Sequence, residues 1–252
     1  MNVRTHIRLD RVSSTNDFAQ FLVSRTKPAE GTVISAVDQY AGRGQAGRSW
    51  YASPGRNITA SFIFYPGFVP VKDQFRLNKL FSVSVLHFFR KFVDKGKMMI
   101  KWPNDLLLEE RKVAGLLIRV STTSTHIRHA VMGLGFNVFE DRFPKEIPNP
   151  DALYRYSSDL PAVPELINAF REYLVTGYER LRAGSNEALD VEYTRNLYGI
   201  GQSLAFSSPD TGSFEGVIQG VDEFGRLVIQ TGDRFQVFQS GGLVFQSFNK
   251  GN

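Results

Sequence analysis

Two groups of residues in this chain could do chemistry on an anionic substrate. The first is Lys101-Trp102-Pro103-Asn104-Asp105, followed by Lys112 and Gly115. It reads as strand, proline turn with Pro103 at the second position, strand, tight turn at Glu110-Arg111, and strand. That path brings one carboxylate, one amide and one ammonium toward the same sheet end. Taken singly, Asn104 and Asp105 are ordinary turn residues and Lys112 an ordinary strand lysine. As a set they suit an anionic substrate whose reaction also needs a base. The second group is a glycine-rich stretch, 42–56, carrying Arg43, Arg48 and Arg56. Glycine lets backbone approach a ligand closely, and guanidinium forks match carboxylate and phosphate oxygens. A solvated surface loop would have the same composition, so this stretch alone leaves both readings open.

Within that loop, Gly42-Arg43-Gly44-Gln45-Ala46-Gly47 spells G-x-G-x-x-G after a predicted strand. The dinucleotide fingerprint needs its third glycine at the start of a helix. Arg48-Ser49-Trp50-Tyr51-Ala52-Ser53-Pro54-Gly55 would not begin one, and no βαβ unit closes around it. The dinucleotide reading is rejected.

The surrounding pattern supplies a scaffold. Ser13-Ser14-Thr15-Asn16-Asp17 running into Phe18, Ala19, Phe21 and Leu22 marks a helix N-terminus. Strands are expected over 31–38 and 57–65. Leu77, Leu80, Phe81, Ser84, Phe88 and Phe92 recur at helical spacing, which predicts a long helix ending near Gly96. Strands are expected again over 98–102, 106–109, 112–121 and 127–138, then a helix from Pro164 and a shorter one to about Asn196. Beyond Gly199 the pattern changes to short strands at 217–218, 227–229 and 235–238, separated by turns, and implies a small antiparallel barrel of SH3-like size. The expected division is 1–190 and 198–252.

Composition narrows the function classes. The chain of 252 residues has no cysteine, which excludes disulfides, thiolate catalysis and zinc–thiolate sites. Neither a secretory leader nor an apolar run of about 18 residues is present, so the expected location is the cytoplasm, with no membrane partner. Asn57-Ile58-Thr59 is then an accidental sequon. A net charge of +5 forms no basic block, so nucleic acid is not the expected partner. His126 and His129 have spacing unsuited to a metal site and read as surface residues.

Four blocks in order resemble the biotin–protein ligases: Gln39-Tyr40-Ala41-Gly42-Arg43-Gly44-Gln45-Ala46-Gly47-Arg48-Ser49-Trp50, Lys101-Trp102-Pro103-Asn104-Asp105, Lys112-Val113-Ala114-Gly115-Leu116-Leu117, and Gly133-Leu134-Gly135-Phe136-Asn137-Val138. With Ser14-Thr15-Asn16 ahead of them, the resemblance spans nearly the whole chain. It implies an α+β fold: a mixed, mainly antiparallel sheet flanked by helices, with a small SH3-like C-terminal barrel. It implies an enzyme that joins biotin to ATP as biotinyl-5'-AMP, with Mg2+ accompanying the nucleotide. The biotin then passes to a lysine of a biotin carboxyl carrier protein or domain of a carboxylase. By resemblance, Ser14, Thr15, Asn16, Gln39, Gly42, Arg43, Gly44, Gln45, Lys112 and Gly115 bind biotin. Arg43, Arg48, Trp50, Asn104, Asp105 and Asn137 face the nucleotide, and Lys112, Arg43 and Asp105 carry the catalysis, with Asp105 as base in the transfer.

The chain departs from that family in two ways. Gln45 stands where many members have a second loop arginine, which implies weaker retention of the adenylate unless Arg48 or Arg56 compensates. The catalytic pattern begins within the first fifteen residues, which implies the type without an N-terminal DNA-reading module. A lipoate-type ligase is the alternative enzyme, although its Arg-Arg-x-Ser/Thr-Gly-Gly-Gly segment is absent from the chain. A basic nucleic-acid-binding module is the non-enzyme alternative. Sheet-edge homodimers and monomers both fit the strands.

Overall fold

The computed structural model describes residues 5–93 and 97–246. The expected helix end near Gly96 lies outside the described residues. The chain runs β1 (His6–Val12), α1 (Thr15–Arg25), β2 (Val33–Gln39), β3 (Gly42–Arg43), β4 (Ser49–Trp50), β5 (Ile58–Phe64), α2 (Phe75–Arg90), β6 (Met98–Lys101), β7 (Asp105–Leu108), β8 (Arg111–Thr122), β9 (Ile127–Phe136), α3 (Val163–Arg182) and α4 (Asn186–Arg195). Five strands follow: β10 (Ser203–Ser208), β11 (Gly212–Val221), β12 (Leu227–Thr231), β13 (Arg234–Phe238) and β14 (Val244–Phe245).

Seven strands form one sheet in the order β1-β2-β5-β9-β8-β7-β6. All neighbours are antiparallel except β1 and β2. Residues alternate between its two faces. On one face Ala60, Phe62, Phe64, Ala114, Leu116, Met132, Leu134 and Phe136 bury against apolar residues of α2 and α3. Phe89 stacks on Phe136 at 4.0 Å and Phe62 meets Phe170 edge-on at 5.4 Å, the offset and T-shaped geometries aromatic rings favour. On the other face a second cluster, Ala19, Ile34, Ile63 and Val131, packs beneath α1. That helix covers only part of the face. The rest is open, and the site lies there.

Helix α1 starts where expected, because Ser14 Oγ accepts the Asp17 amide at 3.3 Å and satisfies one unpaired donor of the first turn. The strand β1 had no counterpart in the sequence reading. Its charged alternation, His-Ile-Arg-Leu-Asp-Arg-Val, suits an edge strand whose Ile7 and Leu9 pack, partly buried, against the α1 cluster. The β7–β8 turn falls on Glu109-Glu110 rather than Glu110-Arg111. Both residues have positive φ, 48° and 64°, the backbone of a two-residue hairpin turn. The Trp102–Pro103 peptide is cis.

The C-terminal strands form an antiparallel sheet in the order β13-β12-β11-β10-β14. Strands β10 and β14 escaped the sequence reading, and no β13–β14 pairing closes a barrel among the described residues. Its apolar residues Phe206, Ile218, Leu227, Ile229 and Phe245 are continuous with the main core. The Trp102 indole donates to the Gly225 carbonyl at 2.8 Å and fastens the two parts together. No described helix is long and apolar enough to cross a membrane.

Candidate active site

The pocket follows from which residues the open sheet face lacks. Register places Thr59, Gly135, Gly115, Asp105 and Lys101 in one row across five strands. Ser61, Gly133 and Leu117 form the next row, nearer α1. Three of these positions are glycine, where strands ordinarily carry β-branched or aromatic residues. Other side chains use the space. A Cβ on Gly135 would lie 2.3 Å from the Trp50 ring, one on Gly115 3.0 Å from it, and one on Gly133 2.8 Å from Asn16 Nδ2. Trp50 therefore lies across the glycines, and Asn16 reaches over the third to donate to the Leu117 carbonyl at 3.3 Å.

The closed end is polar. The Thr15 amide and hydroxyl both donate to Gln39 Oε1, at 2.8 and 3.1 Å, and the Thr15 and Ser61 hydroxyls are 3.0 Å apart. Asn16 Oδ1 is buried with no partner. A donor from a ligand would satisfy it.

At the open end Lys112 Nζ meets Asp105 Oδ1 at 2.7 Å and lies 5.7 Å from the Trp50 ring centre. Backbone hydrogen bonds hold Lys112 on both sides: its amide to Asn149 O at 2.8 Å, and its carbonyl from Asp151 N at 2.9 Å. Asn104 donates to Leu116 O at 2.6 Å and ties the proline turn to β8. A second cleft begins here and runs between Lys101, Arg48 and Lys112 and the segment 240–245. Lys101 Nζ sits 5.2 Å from the Phe245 ring. Burial pushes its ammonium down to about 8; Asp105 opposes that shift, while Lys112 and Arg48 add to it. Pocket and cleft share Gln45, Arg48, Asn104, Asp105 and Lys112. Two substrates entering from opposite sides would meet at the Lys112–Asp105 pair.

The glycine loop is a small hairpin. Strands β3 and β4 pair with each other alone, and Gly44 N donates to Arg48 O at 2.6 Å. Ala46 takes a left-handed conformation, φ 54°. No helix follows, as the sequence requires. The loop's base is fixed by Glu140, fully buried, which accepts Ser53 N and Oγ at 2.9 Å and Asn57 Nδ2 at 2.6 Å. Glu140→Ala would leave those buried donors unpaired, and is expected to cost about 3 kcal/mol of stability. A denaturant titration checks this.

Residues 9–137 match the Biotin/lipoate A/B protein ligase family, and residues 199–244 match the Biotin protein ligase C terminal domain. The chain belongs to the biotin/lipoate protein ligase family. The Biotin--[acetyl-CoA-carboxylase] ligase of Mycobacterium tuberculosis is 27% identical over 94% of this chain and 88% of its own length. The Bifunctional ligase/repressor BirA of Bacillus spizizenii is also 27% identical, over 93% and 72%. The fold is that of the biotin protein ligase from Aquifex aeolicus in complex with biotin and ATP, with TM-score 0.78, 22% identity, and coverage of 96% and 98% of the two chains.

In this ligase-family chain, most residues singled out from sequence do converge. Ser14, Thr15, Asn16, Gln39, Arg43, Gly44, Gln45, Arg48, Trp50, Asn104, Asp105, Lys112 and Gly115 line the pocket. Gly42 lies just behind it, where a Cβ would strike the Trp50 carbonyl at 2.5 Å and Gln39 Nε2 at 2.7 Å. Asn137 lines neither pocket nor cleft. It is buried and donates to Asp151 O at 2.9 Å, bracing the strap that holds Lys112. Arg56 is also outside, bonded to Phe139 O and paired with Asp141; of the two arginines that could offset Gln45, only Arg48 is in place.

Sequence reasoning missed Ser61, Gly133 and Gly135 in the lining, and Asp17 and Arg119 at its rim. The alternation of glycines within a predicted strand was the available sign for Gly133 and Gly135. Nothing local marks the other three.

Proposed function

We propose that this chain activates biotin as biotinyl-5'-AMP at the expense of ATP and transfers it to a lysine of a biotin carboxyl carrier protein or domain. The observation that carries this reading is the junction of a closed polar pocket and a cationic cleft at Lys112–Asp105. Thr15, Asn16, Gln39 and Ser61 offer paired donors and acceptors to the ureido end of biotin. Its carboxylate would then lie toward Arg43 and Lys112, and the triphosphate in the cleft with Arg48 and Lys101. A carboxylate oxygen attacks the α-phosphorus, the bond to pyrophosphate breaks, and pyrophosphate leaves. Bringing two anions together makes charge neutralisation and positioning the main catalytic terms. In the second step an acceptor lysine of pKa about 10.4 must lose a proton before its nitrogen attacks the carbonyl carbon and releases AMP. Asp105 takes that proton.

Among the described residues no three His, Cys, Asp or Glu side chains gather to hold a metal. Magnesium would come with ATP, its partners mainly phosphate and water. The cytoplasm fits an enzyme of this kind, with a catalytic unit over 1–190 and a smaller C-terminal unit over 198–252.

Incubation with ATP, magnesium, biotin and a biotin carrier domain, with lipoate in parallel, tests the reading. Biotin-dependent pyrophosphate release and a biotinylated carrier are expected; release with lipoate alone would overturn it. Three further results are expected. Lys101 should be charged in the free enzyme below about pH 8, so kcat/KM for ATP should fall as pH rises through that value, and the fall should vanish in Lys101→Met. The same depressed pKa makes burying the charged lysine a stability cost, fully present below about 8 and relieved as pH climbs toward the ordinary lysine range. Gln45→Arg should slow adenylate dissociation by about tenfold, measured by release of labelled adenylate; an unchanged rate would assign retention to Arg48.

A further inference from the structure

Asp17 stands in the first turn of α1, directly after the three residues that line the pocket's closed end. One of its oxygens accepts Arg43 Nε at 2.6 Å, the other Arg119 Nη1 at 2.5 Å. These bonds join three segments: α1, the β3–β4 hairpin, and β8. The hairpin forms no ladder with any other strand. Its base is held by Ala41 N to Ser13 O and by Glu140 at Ser53, and over the pocket Trp50 on its glycines and Asp17 fasten it. Neither arginine makes another side-chain hydrogen bond among the described residues.

We propose that Asp17 is a positioning residue that clasps the glycine hairpin to the pocket through Arg43 and Arg119, and so sets how tightly the anionic end of the substrate is held. This rests on the reading that the pocket takes biotin. The chemistry follows from how Arg43 is held. Asp17 uses only Nε, so both terminal nitrogens remain for a substrate carboxylate or phosphate in the forked geometry guanidinium favours. Two guanidiniums repel each other, and one carboxylate between them keeps both in place while leaving the group with a net positive charge. Partial burial pushes the Asp17 carboxyl up, but the bonds from Arg43 and Arg119 outweigh it and hold it below the usual carboxylate range. The clasp is therefore charged at neutral pH, and is lost only as pH falls through that depressed value. In a chain with Gln45 in the hairpin, the aim of the remaining arginine matters more.

The test compares Asp17→Asn, Asp17→Glu and Arg119→Gln with the unaltered chain in two assays. In biotin-dependent pyrophosphate exchange, Asp17→Asn should raise KM for biotin about tenfold, with the KM for ATP within about twofold. Asp17→Glu should recover most of the loss, and Arg119→Gln should show a smaller loss of the same kind. In ligand-free protein, hydrogen exchange over residues 42–50 should quicken by about tenfold in Asp17→Asn. An unchanged biotin KM, or a fall in kcat with both KM values moved alike, would overturn the proposal. If the unaltered chain shows no exchange with biotin, the functional reading fails on its own, and the hydrogen-exchange result still decides whether Asp17 holds the hairpin.

Discussion

Lys112→Ala should lower biotin-dependent pyrophosphate exchange by about 10³-fold, while stability changes by no more than about 1 kcal/mol. The first figure follows from position. Lys112 is the cation common to pocket and cleft whose backbone is strapped on both sides, to Asn149 and Asp151. Its ammonium lies where an attacking carboxylate and an α-phosphate would have to meet. A donor fixed there in advance acts on charge as it develops, and needs no rearrangement during reaction. The second figure follows because the Lys112–Asp105 pair is partly exposed, 31% and 17% by side chain, and solvent screens much of its attraction. Asp105→Asn separates the two steps. It should leave pyrophosphate exchange nearly intact and slow transfer from preformed adenylate by about 10²-fold. If both steps fall alike, Asp105 positions the nucleotide rather than accepting a proton.

The sequence made some of this site legible because its determinants are local. Ser14 before an amphipathic run marks a helix start by hydrogen bonding within one turn, and the structure has that cap. The proline turn and the two flanking strands were visible from spacing. So was the failure of Gly42–Gly47 to begin a helix, since a tryptophan, a proline and a further glycine follow. What escaped depends on partners distant in sequence. Arg119 meets Asp17 across 102 positions, and only sheet register brings them together. Ser61 looks like one more polar residue in a buried strand until Thr15 reaches it. Asn137 also has a distant partner: its Nδ2 donates to Asp151 O beside Lys112, while its Oδ1 is buried with no partner among the described residues. The small antiparallel C-terminal unit was legible because short strands and turns report hairpins; which strands form its edges is set by register, so β10 and β14 were not.

Gly135→Ala tests whether the missing side chains, rather than the charged ones, create the pocket. The added methyl would sit 2.3 Å from Trp50 Cε2 and 2.6 Å from Nε1. The ring cannot stay. It has no room to slide along the row, because Gly115 carries its other edge, where a Cβ would already lie 3.0 Å away. The backbone of β9 is held on both sides by β5 and β8, so the ring must lift and carry β4 and the hairpin with it. Overpacking of this kind costs about 1–3 kcal/mol. Adenylate formation should fall by about 10²-fold, because Arg43 and Arg48 move with the hairpin. Trp50→Ala in the same chain separates the two effects. Removing the ring removes the clash, so Gly135→Ala should cost almost nothing further in stability in that background, a coupling a thermal-melt double-mutant cycle reads directly. Activity should not return, since the hairpin has then lost one of its anchors over the pocket. If the stability costs add instead, the glycine serves the strand and not the ring.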